Sequence, residues 1–346
     1  MMKKCMLIAI LGLSFAVTGC TSLKSTRIAV NLPEKYNTPD GMVLAKDGSI
    51  LLNILNSNNP KFPPKIIKID KNDNITEVFQ YPRHPETNGF GALGIDIGPD
   101  GNYYVADNQT FFDRNDHLSR LCRVIVKNGK AIDFEVLVEG FIMSNAVSCR
   151  TDGVYVTETV IDGDVQPMPS GVYRFSYDEF KGKPIVLAKG GKDKHLIATL
   201  YTANEDWKVG ANGLGFDKKG NMYVCNFGEQ SIEKFTFDKN GKVTSQEVFA
   251  KGQGMKSTDG LKIHPVTNDI YVADFVGNAV HKIDINTGKV TTIAKNANNT
   301  GGIGGLLDKP SEVCIRDGKL YIANIDLSMD GNEHDAPHTI SVLNLN

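Results

Sequence analysis

The stretch Asn212-Gly-Leu-Gly-Phe216, followed by the turn Asp217-Lys-Lys-Gly-Asn221 and by Met222-Tyr-Val-Cys225, decides the fold. It is typical of two short apolar β-strands joined by a tight turn. Related stretches recur about every 50 residues, and they begin at Asp40, Leu93, Asn145, Asn212, Asp259 and Ser311. Such a repeat indicates a propeller, because one unit cannot bury its own apolar face and must pack on its neighbours.

The residues after this stretch complete a unit of four strands. Ser231-Ile-Glu-Lys-Phe-Thr-Phe237 and the residues from Val243 to Phe249 flank a turn at Asp238-Lys-Asn-Gly241. The last repeat is one strand short, whereas Arg27-Ile-Ala-Val-Asn-Leu32 precedes the first. We therefore predict an all-β, six-bladed β-propeller of four-stranded antiparallel blades over residues 28–346, with the N-terminal strand closing the ring.

Composition agrees with this fold class and excludes one class of partner. The chain has 34 glycines and one tryptophan, and no long segment has a helical period. Its formal net charge is −2, so it lacks the basic footprint of a nucleic-acid-binding protein. We expect no nucleic-acid partner.

The N-terminus predicts export and a lipid anchor. Lys3 and Lys4 precede an apolar segment, which ends in Val17-Thr-Gly-Cys20. These four residues resemble the lipobox of bacterial lipoproteins, which implies cleavage before Cys20 and acylation of its thiol. Residues 1–19 are then a signal peptide, residues 20–27 a lipidated tether, and the protein faces the periplasm or the surface at the bacterial cell envelope. An uncleaved anchor or an ordinary signal peptide is the alternative.

Four cysteines remain outside the targeting segment. Cys149 and Cys314 hold equivalent positions in the third and sixth repeats, so a six-fold ring separates them too far for a disulfide. The sequence does not show whether Cys122 and Cys225 form a disulfide. Buried free thiols that act as small apolar residues are the preferred interpretation.

Polar residues occupy the same position in four of the six repeats. Asp40, Asn145, Asn212 and Asp259 would converge on the axis of a closed ring. Two carboxylates and two carboxamides are oxygen ligands, which suit Ca²⁺ better than Zn²⁺ or copper. The alternative is that these residues cap turns between blades. We call these four residues the axial column and predict that it binds Ca²⁺.

The same face of the ring carries other candidate residues. A second set of polar residues lies where the second strand of a blade ends, and it comprises Asp107, Glu158, Asn226, Asp274 and Asn324. Glu158 and Asp274 are candidate catalytic bases, and Asp107, Asn226 and Asn324 are candidate pocket-lining residues together with Leu93. The loop residues His117 and His338 are further catalytic candidates, as is His334.

Loops on this face differ in length. They are long in the first, second, third and sixth repeats and short in the fourth and fifth. We therefore expect a pocket that is walled on one side and open on the other.

The axial column and the strand pattern resemble the senescence marker protein/gluconolactonase family and its relatives, the paraoxonases and diisopropyl fluorophosphatase. This resemblance implies a central Ca²⁺ and hydrolysis of lactones or related esters. It also implies that Asp40 and Asp259 are acidic metal ligands and that Asn145 and Asn212 are amide ligands. One position departs from the pattern, because Leu93 stands where paraoxonases have a histidine, so no base can come from Leu93.

Three functions fit these observations. The first is a Ca²⁺-dependent hydrolase acting on a small lactone or ester. The second is a non-catalytic, Ca²⁺-stabilised propeller that binds a peptide, a glycan or a protein partner, and Leu93 favours it. The third is strictosidine-synthase-like chemistry, which shares the fold and which fold alone cannot separate.

Overall fold

The protein is described here by a computed structural model that covers residues 23–112 and 117–345. Its strands form six antiparallel sheets of the predicted propeller, and each first strand lies at the ring axis. The first blade comprises β2 (Pro39–Leu44), β3 (Ile50–Ile54), β4 (Lys65–Ile69) and β5 (Ile75–Gln80). The second comprises β6 (Ala92–Ile97), β7 (Tyr103–Asp107), β8 (Ser119–Lys127) and β9 (Lys130–Phe141). The third comprises β10 (Ser144–Arg150), β11 (Gly153–Glu158), β12 (Met168–Phe175) and β14 (Leu196–Thr202).

The remaining blades follow the same plan. They comprise β15 (Ala211–Phe216), β16 (Met222–Asn226), β17 (Ser231–Phe237) and β18 (Val243–Lys251); β19 (Leu261–Ile263), β20 (Ile270–Asp274), β21 (Ala279–Ile283) and β22 (Val290–Lys295); and β23 (Pro310–Arg316), β24 (Lys319–Asn324), β25 (His338–Asn344) and β1 (Arg27–Leu32). Because β1 pairs antiparallel with β25, the N-terminal strand completes the sixth blade, as the sequence predicts.

The second blade has an additional edge strand that the sequence analysis did not predict. This strand, β13 (Ile185–Val186), pairs parallel with Val138 and Glu139 of β9. Ile185 packs against the apolar cluster between the second and third blades, so the connection between β12 and β14 covers the outer edge of a neighbouring sheet.

Helical structure is confined to single turns. The four 3₁₀ helices of the described residues are Glu34–Tyr36, Gln109–Phe111, Tyr177–Glu179 and Ile303–Gly305. Within residues 23–112 and 117–345, no helix has the length and apolarity needed to cross a bilayer. The predicted signal peptide and Cys20 lie outside the described residues.

Apolar clusters between neighbouring blades hold the ring together. Each cluster draws residues from two adjacent sheets, as when Tyr223 and Cys225 of the fourth blade pack with Ile270 and Val272 of the fifth. Corresponding clusters fill the other five seams, and β2 contacts β23 to close the ring. Cys122, Cys149, Cys225 and Cys314 are free thiols, in agreement with the sequence-based interpretation.

The blades approach most closely at the axis, where small residues follow the axial column. The Gly213 N–H donates to the Asp259 carbonyl at 3.2 Å. A Cβ atom at Gly213 would lie 2.5 Å from that carbonyl oxygen and 2.8 Å from the Gly260 Cα. Both atoms belong to the backbone, so they have little freedom to move away. Glycine at 213 therefore allows the fourth and fifth blades to bring Asn212 and Asp259 together.

Gly213→Ala is expected to destabilise the protein by about 1–3 kcal/mol, the usual cost of overpacking. Denaturant unfolding followed by far-UV circular dichroism measures this change. Gly163→Ala is the matched control, because its Cβ would meet only the Val160 side chain, at 3.7 Å. Equal stabilities of the two variants would contradict this account of the axis.

Candidate functional site

β-Bulges present the axial column to the ring axis. The register between β2 and β3 shifts between Pro39 and Met42, which leaves Asp40 outside the regular pairing. The same irregularity surrounds Asn145 in β10 and Asn212 in β15. A bulge bends its strand and re-aims side chains, and bulges are frequent beside functional sites. Three of the four column residues therefore lie within first strands, whereas Asp259 precedes the short strand β19.

All four residues of the axial column line one cavity of about 630 Å³ on the predicted face. Leu93 also lines it, as the sequence predicts. The other described lining residues are Asn108, Thr110, Phe111, Ile142, Met143, Val160, Trp207, Val209, Phe227, Phe275, Ile325, Leu327 and Met329. Most of these are apolar, so the cavity combines an oxygen-rich floor with apolar walls.

The two carboxylates of the column lack a positive partner. Burial raises the pKa of Asp40 to about 7. Burial and the nearby Asp40 charge raise the pKa of Asp259 well above its ordinary value. The only described ion pair of Lys262 is with Glu312, at 2.9 Å, and neither Asp40 nor Asp259 has one. Although the Lys262 charge opposes the rise in the Asp40 pKa, neither acid has an ion-pair partner among the described residues, which is an unfavourable arrangement unless a cation or a proton is present.

The donor set of the column fits a hard divalent cation. Two carboxylates and two carboxamides line the same floor, and the unpaired acidic charge matches the charge of Ca²⁺. The column contains no sulfur or imidazole ligand, so it does not favour Zn²⁺. A Ca²⁺ ion would also keep positions for water or for a substrate oxygen.

The structure corrects the pocket-lining prediction for three residues at the strand ends. Asp107 accepts two hydrogen bonds from Arg120, at 2.8 and 2.6 Å. Asn226 accepts from the Thr202 hydroxyl at 2.8 Å and donates to the Tyr201 carbonyl at 3.0 Å. None of these side chains is among the residues that line the cavity.

Asn324 is the third. Its amide donates to Thr339 at 2.9 Å and to Ser341 at 2.8 Å. Its carbonyl oxygen accepts from the Asp308 N–H at 3.1 Å. These contacts join the sixth blade's strands and loops, so the side chain is committed to structure.

Glu158 and Asp274 also bind backbone instead of facing the cavity. The Glu158 carboxylate accepts the N–H groups of Ile142 at 2.9 Å and Met143 at 2.6 Å. Burial raises its pKa to about 8. Since Ile142 and Met143 line the cavity, Glu158 positions that wall and does not reach the substrate space.

Asp274 has a similar role in the fifth blade. Its carboxylate accepts the Lys256 and Ser257 N–H groups, both at 2.8 Å, and lies 3.0 Å from the buried His281 imidazole. With its oxygens engaged in this way, Asp274 fixes the segment that leads to Asp259. A catalytic role for either acid thus finds no support in the geometry.

The candidate histidines lie outside the lining as well. His117 Nδ1 is 3.1 Å from the Gly140 carbonyl oxygen, beside a separate surface cavity. His338 is buried, and its Nε2 lies 2.8 Å from the Glu34 carboxylate. Although burial opposes protonation, the Asp326 and Glu34 carboxylates raise the pKa of His338. Neither histidine lines the axial cavity.

The side of the cavity expected to be open is walled by aromatic residues. Trp207 packs on Phe227 at 5.6 Å and on Phe275 at 6.3 Å between ring centroids. Phe227 and Phe275 begin the short loops of the fourth and fifth blades, and Ile325 joins their cluster. We call Trp207, Phe227 and Phe275 the aromatic wall. Trp207 is the only tryptophan of the chain and lies just before Asn212. This position in the sequence was the signal that could have indicated the aromatic wall.

Comparisons with known proteins agree with the fold described above. The family model of the SMP-30/gluconolactonase/LRE-like region matches residues 197–300, which include Asn212 and Asp259. This region therefore resembles the SMP-30/gluconolactonase family. The resemblance predicted from the sequence is thereby confirmed. No protein with a curated description matches the chain significantly.

Solved structures resemble the chain over nearly its whole length. Luciferin-regenerating enzyme is 13% identical and covers 93% of this chain and 96% of its own, with a TM-score of 0.62. The calcium-binding protein regucalcin of Agrobacterium tumefaciens is 12% identical over 93% of each chain, with a TM-score of 0.60. A gluconolactonase of Xanthomonas campestris is 13% identical over 93% and 95%, with a TM-score of 0.58. At these identities the similarity shows the fold alone.

Proposed function

We propose that this chain is a Ca²⁺-dependent hydrolase of lactones or related esters that carry an apolar substituent. The observation that carries the proposal is the axial column, with its two unpaired carboxylates and two carboxamides, at the floor of a cavity with apolar walls. The family match and the fold shared with a gluconolactonase and a calcium-binding protein support it.

The apolar walls argue against a polyhydroxylated sugar lactone as the preferred substrate. Such a substrate would leave hydroxyl groups without partners against Trp207, Phe227 and Phe275, and unpaired buried polar groups are costly. A lactone or ester with an alkyl or aryl substituent would instead bury that substituent against the same side chains.

The residues of the floor divide the chemical work. Bound Ca²⁺ would polarise the substrate carbonyl and stabilise the negative charge that develops on its oxygen. Asp40 and Asp259 are the only titratable side chains among the described lining residues. Only these two carboxylates could accept the proton of the attacking water, and we assign this role to Asp259. The apolar walls exclude bulk water around the ester.

The test compares turnover by the purified full-length chain on butyrolactone, a long-chain γ-lactone, phenyl acetate and gluconolactone, with Ca²⁺ or with a chelator. We expect Ca²⁺-dependent turnover that is fastest on the long-chain lactone or the aryl ester. Preference for gluconolactone would refute the apolar substrate class. Absence of Ca²⁺-dependent turnover on the whole panel would refute hydrolysis.

Trp207→Ala is expected to raise KM for the long-chain lactone about tenfold and to change KM for butyrolactone much less. The reason is that losing roughly 1–2 kcal/mol of apolar contact changes binding by about that factor. Steady-state kinetics on both lactones measures the difference. Val248→Ala, at an exposed position of the outer strand β18, is the control. An equal change in KM for both lactones would argue against an apolar subsite at Trp207.

A non-catalytic propeller is the second candidate. In the second blade, Leu93 stands at the position that the axial column residues hold in other blades. No histidine is among the described residues that line the cavity. Tight Ca²⁺ binding without turnover on the panel would favour this function.

We also propose that Cys20 is acylated and anchors the protein at the cell envelope, periplasmic or surface-facing. The lipobox-like Val17-Thr-Gly-Cys20 supports this placement. Mass spectrometry of the mature N-terminus, with Cys20→Ala as the comparison, tests it. A soluble wild-type protein with an unmodified Cys20 would refute it.

A further inference from the structure

A second group of acids lies behind the wall of the axial cavity. One carboxylate oxygen of each of Asp308, Asp326 and Asp335 lies within 4.8 Å of the others. Asp308 and Asp326 are each only 1% exposed. Asp326 lies between Ile325 and Leu327, which line the cavity, so the two faces of this loop serve different environments. The axial column contributes nothing to this group.

The three acids outnumber the positive charges beside them. Lys309, which follows Asp308, pairs instead with Asp330 at 2.8 Å. Among the described basic side chains, only His334 and His338 approach the group, at 3.0 and 3.5 Å from Asp326. Glu333 adds a further negative charge near Asp335. Negative charge therefore exceeds positive charge in a region that is largely shielded from water.

The buried side chain of Asn332 lies against the same group and has one unpaired oxygen. Asn332 is 6% exposed, and its Nδ2 donates to Asp326 Oδ1 at 3.0 Å. Its Oδ1 is buried and has no hydrogen-bond donor, and Asp308 Oδ1 is in the same condition. An unpaired buried acceptor costs about 1–3 kcal/mol, so such atoms normally have a partner. A bound cation would satisfy Asp308 Oδ1, and Asn332 would add its carbonyl oxygen if its amide turned over, because Nδ2 faces Asp326.

We propose that Asp308, Asp326, Asp335 and Asn332 bind a divalent cation, with Ca²⁺ as the best match, at a site separate from the axial column. Three carboxylates and one carboxamide provide hard oxygen ligands, and waters complete the coordination that Ca²⁺ requires. This loop site does not rest on the proposed hydrolase function.

The loop site would tie the long connection of the sixth blade to the residue that precedes β23. Asp326 and Asp335 belong to the connection between β24 and β25, whereas Asp308 lies just before β23. Ile325, Leu327 and Met329 of this connection line the axial cavity. A cation at the loop site would therefore hold that wall of the cavity in place.

The decisive experiment counts bound Ca²⁺ in the full-length chain after removal of metal with a chelator. Native mass spectrometry and titration calorimetry with calcium chloride should give two Ca²⁺ per wild-type chain. Asp335→Asn, at an exposed position, should bind one, and so should Asp308→Asn. Asp259→Asn should also bind one, because it retains the loop site.

Glu333→Gln is the matched control, since it removes a neighbouring charge that is not a ligand, and it should still bind two Ca²⁺. Two Ca²⁺ in Asp308→Asn and Asp335→Asn would overturn the proposal. One Ca²⁺ in the wild type, lost in Asp259→Asn, would overturn it as well and would leave the axial site intact. Tighter binding of Zn²⁺ that depends on His338 would also overturn it.

The rate of hydrogen exchange in this loop tests cation binding separately from any electrostatic effect of the substitutions on folding. Ca²⁺ should slow exchange in the peptide over residues 325–337 at least about tenfold in the wild type and in Asp259→Asn. The same peptide should show no Ca²⁺ response in Asp335→Asn. An unchanged exchange rate in the wild type would count against a cation that fixes this loop.

Discussion

Asp259→Asn is expected to lower the affinity for Ca²⁺ at the axial column at least about 100-fold and to reduce hydrolysis by a factor of about 10² to 10³. The substitution preserves the size of the side chain and removes its charge. It therefore takes away one of the two carboxylates that would balance Ca²⁺ and, in the proposed mechanism, the group that receives the proton from water. A single change should thus affect binding and turnover together.

Calorimetry and the lactone assay on the same samples measure both quantities. Asp178→Asn is the control, because Asp178 is exposed on the surface and pairs only with Lys181. Ca²⁺ binding and turnover that both survive in Asp259→Asn would contradict a metal site at the axis. Loss of binding in a chain whose wild type has no turnover would identify the axial column as structural and favour the non-catalytic candidate.

The axial column was predictable from sequence because it depends on a repeat. Asp40, Asn145, Asn212 and Asp259 occur at the same place in successive units, and a closed ring turns equal places into neighbours around an axis. What the sequence did not reveal was the bulge that turns these side chains into the cavity. Bulges depend on the pairing register, which becomes visible only when both strands are placed.

The strand-end acids show where the repeat misleads. Asp107, Glu158 and Asp274 occupy similar sequence positions on the same face as the column, and their residue types suit catalysis. The role of each acid depends on which N–H groups the preceding loop presents to it. Glu158 accepts hydrogen bonds from the N–H groups of Ile142 and Met143. Such contacts arise from loop conformation, which has no periodic signature. The strand-end polar residues therefore support the fold, and of the two polar sets only the axial column lines the cavity.

The aromatic wall and the loop site were not predicted from the sequence, for a related reason. Trp207 lies in the connection between the third and fourth blades, whereas the differences in loop length concern the connections within blades. Asp308 and Asp326 lie far from a recognisable ligand motif, and the fold of one irregular loop brings them together. Loops of this kind carry much of what distinguishes one propeller from another.

The metal-free protein is expected to lose stability as the pH rises from about 4 to about 7, and Ca²⁺ should reverse this trend. The pKa of Asp40 is about 7 in the folded chain, well above the ordinary value for an aspartate. Between these two values the folded state holds more protons than the unfolded state. Stability then falls with increasing pH, because its slope follows the difference in bound protons. The loss from Asp40 alone is about 4 kcal/mol.

Thermal unfolding in a chelator across this pH range measures the trend, and the Asp40→Asn variant reports the contribution of Asp40 together with its coupling to Asp259. Buried acids on which Asp40 has no described effect, such as Glu158, shift in the same direction and act equally in both proteins. The difference between wild type and variant should therefore change by several degrees in Tm below pH 7 and become constant above it. With saturating Ca²⁺, the wild type should instead gain stability as the pH rises, because binding requires the ionised carboxylates. A difference between the two proteins that is independent of pH, with or without Ca²⁺, would mean that Asp40 is already ionised and balanced by a group of the protein itself.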